Sequence, residues 1–302
     1  MDPLLVAAFY KFASLDDHTA MQSPIEACCA TNDVRGIILL SREGINSTIC
    51  GPPQGIMAVL DFLRADERLA DLTWKESSAT TQPFRKMRVR LKDEIVTMGV
   101  PGIDPNRTVG THVKPQDWNA LISDPDVIVI DARNDYEVGI GTFDGAIDPD
   151  IASFRELPAW LNEQLDLQSQ PQVAMFCTGG IRCEKSTSLL KEAGVENVYH
   201  LEGGILKYLE EIPESESLWH GECFVFDERV SVGHGLAPGP YELCRACRCP
   251  IQDSDKQSEH YREGVSCPSC AERTTDQQKA RYAQRQHQVE LAKARGKTHL
   301  AS

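Results

Sequence analysis

The run Cys177-Thr178-Gly179-Gly180-Ile181-Arg182-Cys183 brings two thiols, two glycines and an arginine into seven residues. An apolar, strand-like stretch (residues 173–176) precedes it and a helix-compatible stretch (184–193) follows. A strand that turns through such a loop into a helix aims successive backbone N–H groups at one point, and the positive end of the helix dipole adds to them. The two glycines supply the unusual backbone angles this needs. Only the charged form of a sulfur at that point benefits, and Arg182 contributes a permanent cation. Cys177 is therefore expected to have a depressed pKa and to act as a nucleophile at neutral pH. A purely structural cysteine would leave the glycine pair, the arginine and the helix start unexplained together. A cysteine-phosphatase loop cradles an anion in a similar way but needs five residues between Cys and Arg. Here four intervene, a smaller ring suited to a sulfur-sized group. Cys183 could resolve an oxidised Cys177 as a disulfide or simply pack against the loop, and both readings stay open.

A second cysteine pattern lies near the carboxyl end. Cys244 and Cys247 precede Cys267 and Cys270 by a 19-residue interval, giving C-x2-C-x19-C-x2-C. Two such knuckles bring four thiolates within tetrahedral reach, the pattern of structural zinc. A closed four-thiolate site leaves no position for substrate, so its expected role is to hold a poorly hydrophobic segment folded. Reversible disulfides are the alternative, with Cys223 and Cys249 as extra thiols nearby. Cys28, Cys29 and Cys50 sit in apolar patterns and are expected to pack in a core.

A third cluster is cationic. Arg85, Lys86, Arg88, Arg90 and Lys92 occur with no acid between them. Strand alternation puts Lys86, Arg88, Arg90 and Lys92 on one face and Met87, Val89 and Leu91 on the other. The row is either a solvated sheet face or a contact for a phosphate backbone.

The elements that must position these residues divide by charge. The 302-residue chain has 31 Lys plus Arg, 45 Asp plus Glu and a formal charge of -14, so overall basicity does not advertise a polyanion partner. Residues 1–118 hold 13 basic and 15 acidic side chains, 119–220 hold 6 and 19, and 221–302 hold 12 and 11, so the middle carries -13. We place domain borders at about 118 and 220 on this basis. In the first domain, strands over 4–12, 34–40 and 44–50, helices over 19–31 and 54–69, and a last strand pair over 85–91 and 94–98 suggest a ferredoxin-like α+β sandwich. In the second, buried strands at 127–130, 173–176 and 198–201 alternate with helices, indicating a parallel α/β sheet. The third is a small Cys-, Gly- and Pro-rich, zinc-ribbon-like segment that ends in a helical tail over 275–295, either disordered or docked elsewhere. No export signal or run of 18 apolar residues is found, and the cysteine usage suits a reducing, cytoplasmic setting without membrane association.

The loop Cys177 to Arg182 resembles the active loop of rhodanese domains, in which the cysteine carries a persulfide. Asp131-Ala132-Arg133 with Glu137 and Gly145-Ala146-Ile147 is similar to the early signature of that family, and His200-Leu201-Glu202-Gly203-Gly204-Ile205 to its late one. The resemblance covers about 119–220. Together with PFRKMRVRLKDEIVTMG and HGECFVFDERVSV, the chain to about Cys270 resembles the bacterial rhodanese-containing tRNA uridine-34 hydroxylases. That resemblance implies oxygen-dependent formation of 5-hydroxyuridine at the wobble position of tRNA, with Cys177 as active cysteine, O2 as cosubstrate and the anticodon loop as partner. The anticodon base is expected to enter a pocket above the Cys177 thiolate. The residues alone imply sulfur transfer, so a persulfide sulfurtransferase is the enzymatic alternative and an RNA- or protein-binding adaptor the other. Triplet oxygen ordinarily needs a metal, flavin or radical, yet no flavin or nicotinamide fingerprint is found, and the eight scattered histidines show no two-His-one-carboxylate set. Thiolate addition to uracil C6 and a persulfide electron donor are the two mechanisms considered, and the sequence names no electron donor. His112, His220 and His234 receive no role.

Overall fold

Alternation along the first strand places Ala7 and Phe9 in a core while Ala8 and Tyr10 face the other way. The computed structural model describes residues 3–79, 81–227 and 229–296, so the extreme ends of the outer segments lie outside it. The amino-terminal elements are β1 (Leu4–Phe12), α1 (His18–Thr31), β2 (Arg35–Ser41), β3 (Gly44–Gly51), α2 (Pro53–Arg64), β4 (Lys75–Ala79) and β5 (Met87–Leu91). They form one sheet in the order β4-β1-β3-β2-β5. Both helices cover one face, where Ile25, Ile56, Val59, Leu60 and Leu63 meet Ile38, Ile49 and Val89. The βαββαβ order is the expected ferredoxin-like one, but its final strand is β4. β5 is an added edge strand, parallel to β2. Residues 94–98 are not a strand. The Glu94 carboxylate accepts from the N–H groups of Met98 and Gly99 at 3.0 Å each, folding the segment into a turn. The second helix ends at Arg64, and Asp66 starts a separate short turn over Glu67–Leu69 by accepting from Arg68 N–H.

The middle of the chain contains β6 (Thr111–Val113), α3 (Pro115–Ile122), β7 (Val127–Asp131), α4 (Asp135–Val138), β8 (Gly141–Phe143), α5 (Leu157–Gln164), β9 (Gln172–Phe176), α6 (Ile181–Glu192), β10 (Val198–Leu201) and α7 (Gly204–Glu211). Strands β6-β10-β9-β7 form an all-parallel sheet, buried on both faces as such sheets are. One face packs on Trp118, Phe143, Tyr208 and Trp219, the other on Leu157, Leu161 and Leu190.

The remaining elements are β11 (Trp219–Gly221), β12 (Cys223–Phe224), β13 (Ser231–Val232), β14 (Glu242–Leu243), β15 (Pro250–Ile251), α8 (Asp253–Lys256) and α9 (Asp276–Ala294). β11 pairs with β8, and Cys223, Val225 and Val232 join the aromatic core of the parallel sheet, which accounts for Cys223 as a packing residue. The tail is helical and docked: Arg285 donates to the carbonyls of Arg245 and Gly264. Thr275 and Gln278 close its amino end as a capping box. Among the described residues no helix is long and apolar enough to cross a membrane.

Candidate active site and cysteine cluster

The loop between β9 and α6 places every residue that its sequence pattern singled out around one sulfur. Gly180 adopts φ +100 and its N–H donates to Cys177 Sγ at 3.2 Å. A side chain there would also meet the Tyr10 hydroxyl at 2.8 Å. Gly179 needs no such freedom: its φ is not positive, and a Cβ there would meet nothing within 4 Å. The helix starts at Ile181, three residues earlier than its apolar pattern indicated, so the N–H groups of Arg182 and Cys183 also stabilise the sulfur. Burial pushes the Cys177 pKa up. A hydrogen bond from Cys183, the Arg182 charge and the backbone donors outweigh it, bringing the pKa down to about 5. Cys183, equally buried, is pushed well up by burial and by the neighbouring Cys177, so it stays a thiol.

The flanking signatures brace this loop. Arg182 forms a two-point ion pair with Glu137, 2.7 Å at each contact, and Thr178 Oγ1 donates to the same carboxylate at 3.2 Å. Glu137 is wholly buried and held below the usual carboxylate range: burial raises it, and Arg182 and Arg133 more than compensate. Arg133 pairs with buried Asp131 at 2.6 Å and lies over the Trp219 ring. On the other side, the N–H groups of Ile205 and Leu206 donate to the carbonyls of Cys177 and Thr178 at 3.0 and 3.1 Å. Gly204 permits this approach, since a Cβ would lie 2.5 Å from the Cys177 carbonyl oxygen.

Sequence reasoning missed what the amino-terminal sheet contributes. Tyr10 donates to Glu184 Oε1 at 3.3 Å, and Lys75, its pKa lowered to about 8 chiefly by burial, donates to the Gly203 carbonyl at 2.6 Å. Buried Lys185 bridges Glu43 and Glu94, fastening α6 to that domain. These residues lie far apart in sequence and carry no shared motif. The thiolate itself is fully buried, so the expected open pocket above it is not formed here.

The five cations stay on the surface. Arg85, Lys86, Arg88, Arg90 and Lys92 are all exposed, and among the described residues none of their side chains forms an ion pair. Leu91, though on the Val89 face, is also exposed. Register places Arg90 in one cross-sheet row with Leu39, Asn46 and Tyr10. Arg88 and Arg90, the two cations within β5, therefore share the sheet face that meets the cysteine loop, with Arg90 three strand spacings or about 14 Å from Tyr10.

Cys244, Cys247, Cys267 and Cys270 come together, their sulfurs all within 4.8 Å of one another. The Cys247–Cys267 and Cys267–Cys270 separations are 3.7 Å. Four sulfurs at ~2.3 Å from a central zinc stand roughly 3.8 Å apart, whereas a disulfide would need about 2.05 Å. The donor set fits zinc. Cys249 lies outside the quartet, and its carbonyl accepts from Cys244 N–H.

Residues 4–95 match the UPF0176 acylphosphatase like domain family, and residues 114–211 the rhodanese-like domain family. A tRNA uridine(34) hydroxylase of Acaryochloris marina is 61% identical over 302 residues, covering 100% of this chain and 97% of the relative. One from Albidiferax ferrireducens is 62% identical over 306 residues, covering 100% and 96%. The chain belongs to the tRNA uridine(34) hydroxylase family. Among solved structures, the rhodanese-like domain of an Anabaena protein is 16% identical, with a TM-score of 0.31 over 37% of this chain and 80% of that one. The two hydroxylase relatives align with the whole of this chain, the cysteine quartet and the amino-terminal sheet included.

Proposed function

We propose that this chain hydroxylates uridine 34 of tRNA at C5, taking one oxygen atom from O2, with Cys177 as nucleophile. The observation that carries the reading is the Cys177 thiolate, ionised at neutral pH inside a ring of N–H donors. Sulfur adds to uracil C6, breaking the C5–C6 double bond and leaving C5 electron-rich. Oxygen then enters at C5, the C5 proton leaves, and expulsion of the thiolate restores the ring. The overall change replaces C5–H by C5–OH and releases the second oxygen atom as water, consuming two electrons and two protons from an external donor. Arg182 is committed to Glu137 and acts by fixing the positive field of the loop. Replacing Cys177 by serine is expected to abolish 5-hydroxyuridine in tRNA digests analysed by mass spectrometry. Persistence of the nucleoside overturns the mechanism, and loss of a thiolated base instead supports sulfur transfer.

Arg85, Lys86, Arg88, Arg90 and Lys92 serve as the tRNA backbone contact. The support is the exposure of all five and the place of Arg88 and Arg90 on the sheet face that meets the cysteine loop. In the double variant Arg88→Ala, Arg90→Ala, tRNA binding should weaken and its log–log salt slope should fall by about 2. An unchanged slope removes the strand from the interface. The quartet Cys244, Cys247, Cys267 and Cys270 holds one structural zinc, which supplies the folding energy that its small apolar cluster lacks. The setting is cytoplasmic, where thiols stay reduced and tRNA is met.

A further inference from the structure

The parallel pairing of β6 with β10 sets His112 directly beside His200, and the first turn of α6 carries Glu184 up to both. His112 Nε2 lies 3.0 Å from Glu184 Oε1, and His200 Nε2 lies 3.8 Å from the same oxygen. The two-His-one-carboxylate set that no sequence spacing revealed is thus assembled by the fold.

Its hydrogen bonding is incomplete in one informative place. The Thr187 hydroxyl lies 2.7 Å from the Cys183 carbonyl, which can only accept, so the hydroxyl proton points there. Thr187 Oγ1 must then accept from Gly110 N–H at 3.1 Å and from His200 Nδ1 at 3.3 Å. His200 therefore donates through Nδ1, which leaves Nε2 as the ring nitrogen turned toward Glu184. That atom is buried without a hydrogen-bond partner, in a residue 1% exposed, and it faces a carboxylate oxygen. A ring nitrogen and a carboxylate oxygen thus face each other beyond hydrogen-bond reach, and a cation between them would satisfy both.

We propose that His112, Glu184 and His200 bind a first-row divalent metal ion, with the remaining coordination positions open to small ligands. Metal–ligand distances of about 2.0–2.2 Å put ligand atoms roughly 3.0–3.5 Å apart. The 3.0 Å contact meets this already and the 3.8 Å one needs only a small closure. Outer partners are in place: Thr187 on the far nitrogen of His200 and Tyr10 donating to the Glu184 oxygen. The His112 side chain, 41% exposed, leaves one side open. Two imidazoles and a carboxylate suit Fe(II) or Zn(II) over Mg(II) or Ca(II), and with open positions they form the donor set of non-haem Fe(II) centres. The choice of Fe(II) rests on the hydroxylase reading; the site itself does not. Glu184 follows Cys183, whose thiol bonds to Cys177, so the first turn of one helix would hold the metal and face the thiolate.

The test uses full-length protein, purified anaerobically without chelator and titrated with Fe(II). Addition of nitric oxide should give the EPR signal of a high-spin Fe(II)–nitrosyl centre, at one iron per chain. His112→Ala, the half-exposed position, and Glu184→Gln should each weaken iron binding at least tenfold while keeping the ultraviolet band of the Cys177 thiolate as a fold marker. No nitrosyl signal, or an equal one in both variants, overturns the site. Hydroxylation of tRNA by protein shown to be iron- and zinc-free at this position overturns the choice of Fe(II) and leaves the hydroxylase reading standing. Iron bound at these residues in protein that makes no 5-hydroxyuridine supports the site and overturns that reading.

Discussion

Cys177 and Cys267 are both completely buried, yet their surroundings call for opposite chemistry. Cys177 faces donors: the Gly180 N–H, the Cys183 thiol and the charge of Arg182. Cys267 faces other sulfurs, Cys247 and Cys270 at 3.7 Å. Burial alone penalises a thiolate in either place. In the loop a neighbouring arginine and N–H donors supply the compensating positive field, whereas the quartet sulfurs have N–H donors and one another but no side-chain cation shown beside them, the place our zinc proposal fills. A buried cysteine's role is therefore read from what its sulfur faces, and Cys183, beside Cys177 but lacking an equivalent field, stays protonated.

The largest expected effect tests the quartet's dependence on metal. Cys267→Ser should lose zinc and, with it, on the order of 10 kcal/mol of metal-linked folding free energy. Limited proteolysis should then cut within residues 242–271 while the Cys177 thiolate band persists. Retained zinc with an intact segment would erase the contrast between the two regions. Next comes Arg182→Ala, which strands Glu137 in the core without its partner and should cost about 3–5 kcal/mol in denaturant titrations. It should also raise the Cys177 pKa, and an unmoved pKa would show that the backbone donors suffice.

A pH dependence tests the same contrast by titration. Cys177 has its pKa lowered from 9.0 to about 5 on folding. Its thiolate therefore stabilises the fold fully above pH 9, progressively less as the pH falls, and not at all below about pH 5. The stability gap between the native protein and a Cys177→Ala variant should narrow over that window in the same direction. A constant gap would mean that Cys177 is neutral and resembles Cys183.

Motifs made the two cysteine regions readable because their residues are sequence neighbours, so local backbone geometry brings them together. The loop from Cys177 to Cys183 needed only a strand, a turn and a helix, and all three have local signals. β4 escaped notice because Lys75-Glu76-Ser77-Ser78-Ala79 is an edge strand without apolar alternation. Residues 94–98 misled for the converse reason, since Ile95, Val96 and Met98 alternate well enough for a strand while Glu94 ties their backbone into a turn. Tyr10, Lys75 and Lys185 act across a domain contact, and His112 meets His200 only through strand register. Neither kind of proximity leaves a mark in the spacing of residues along the chain.

The seclusion of Cys177 also bears on how long the protein lasts. A thiolate open to solvent at neutral pH is the form most readily lost to peroxide, climbing to sulfinic and sulfonic acids that ordinary reductants do not reverse. Buried beneath its loop, this one is ionised near neutral pH yet closed to a solvent-borne oxidant. Reactivity and durability, which trade against each other in an exposed thiol, are here separated by geometry: one is set by the donors around the sulfur and the other by its burial.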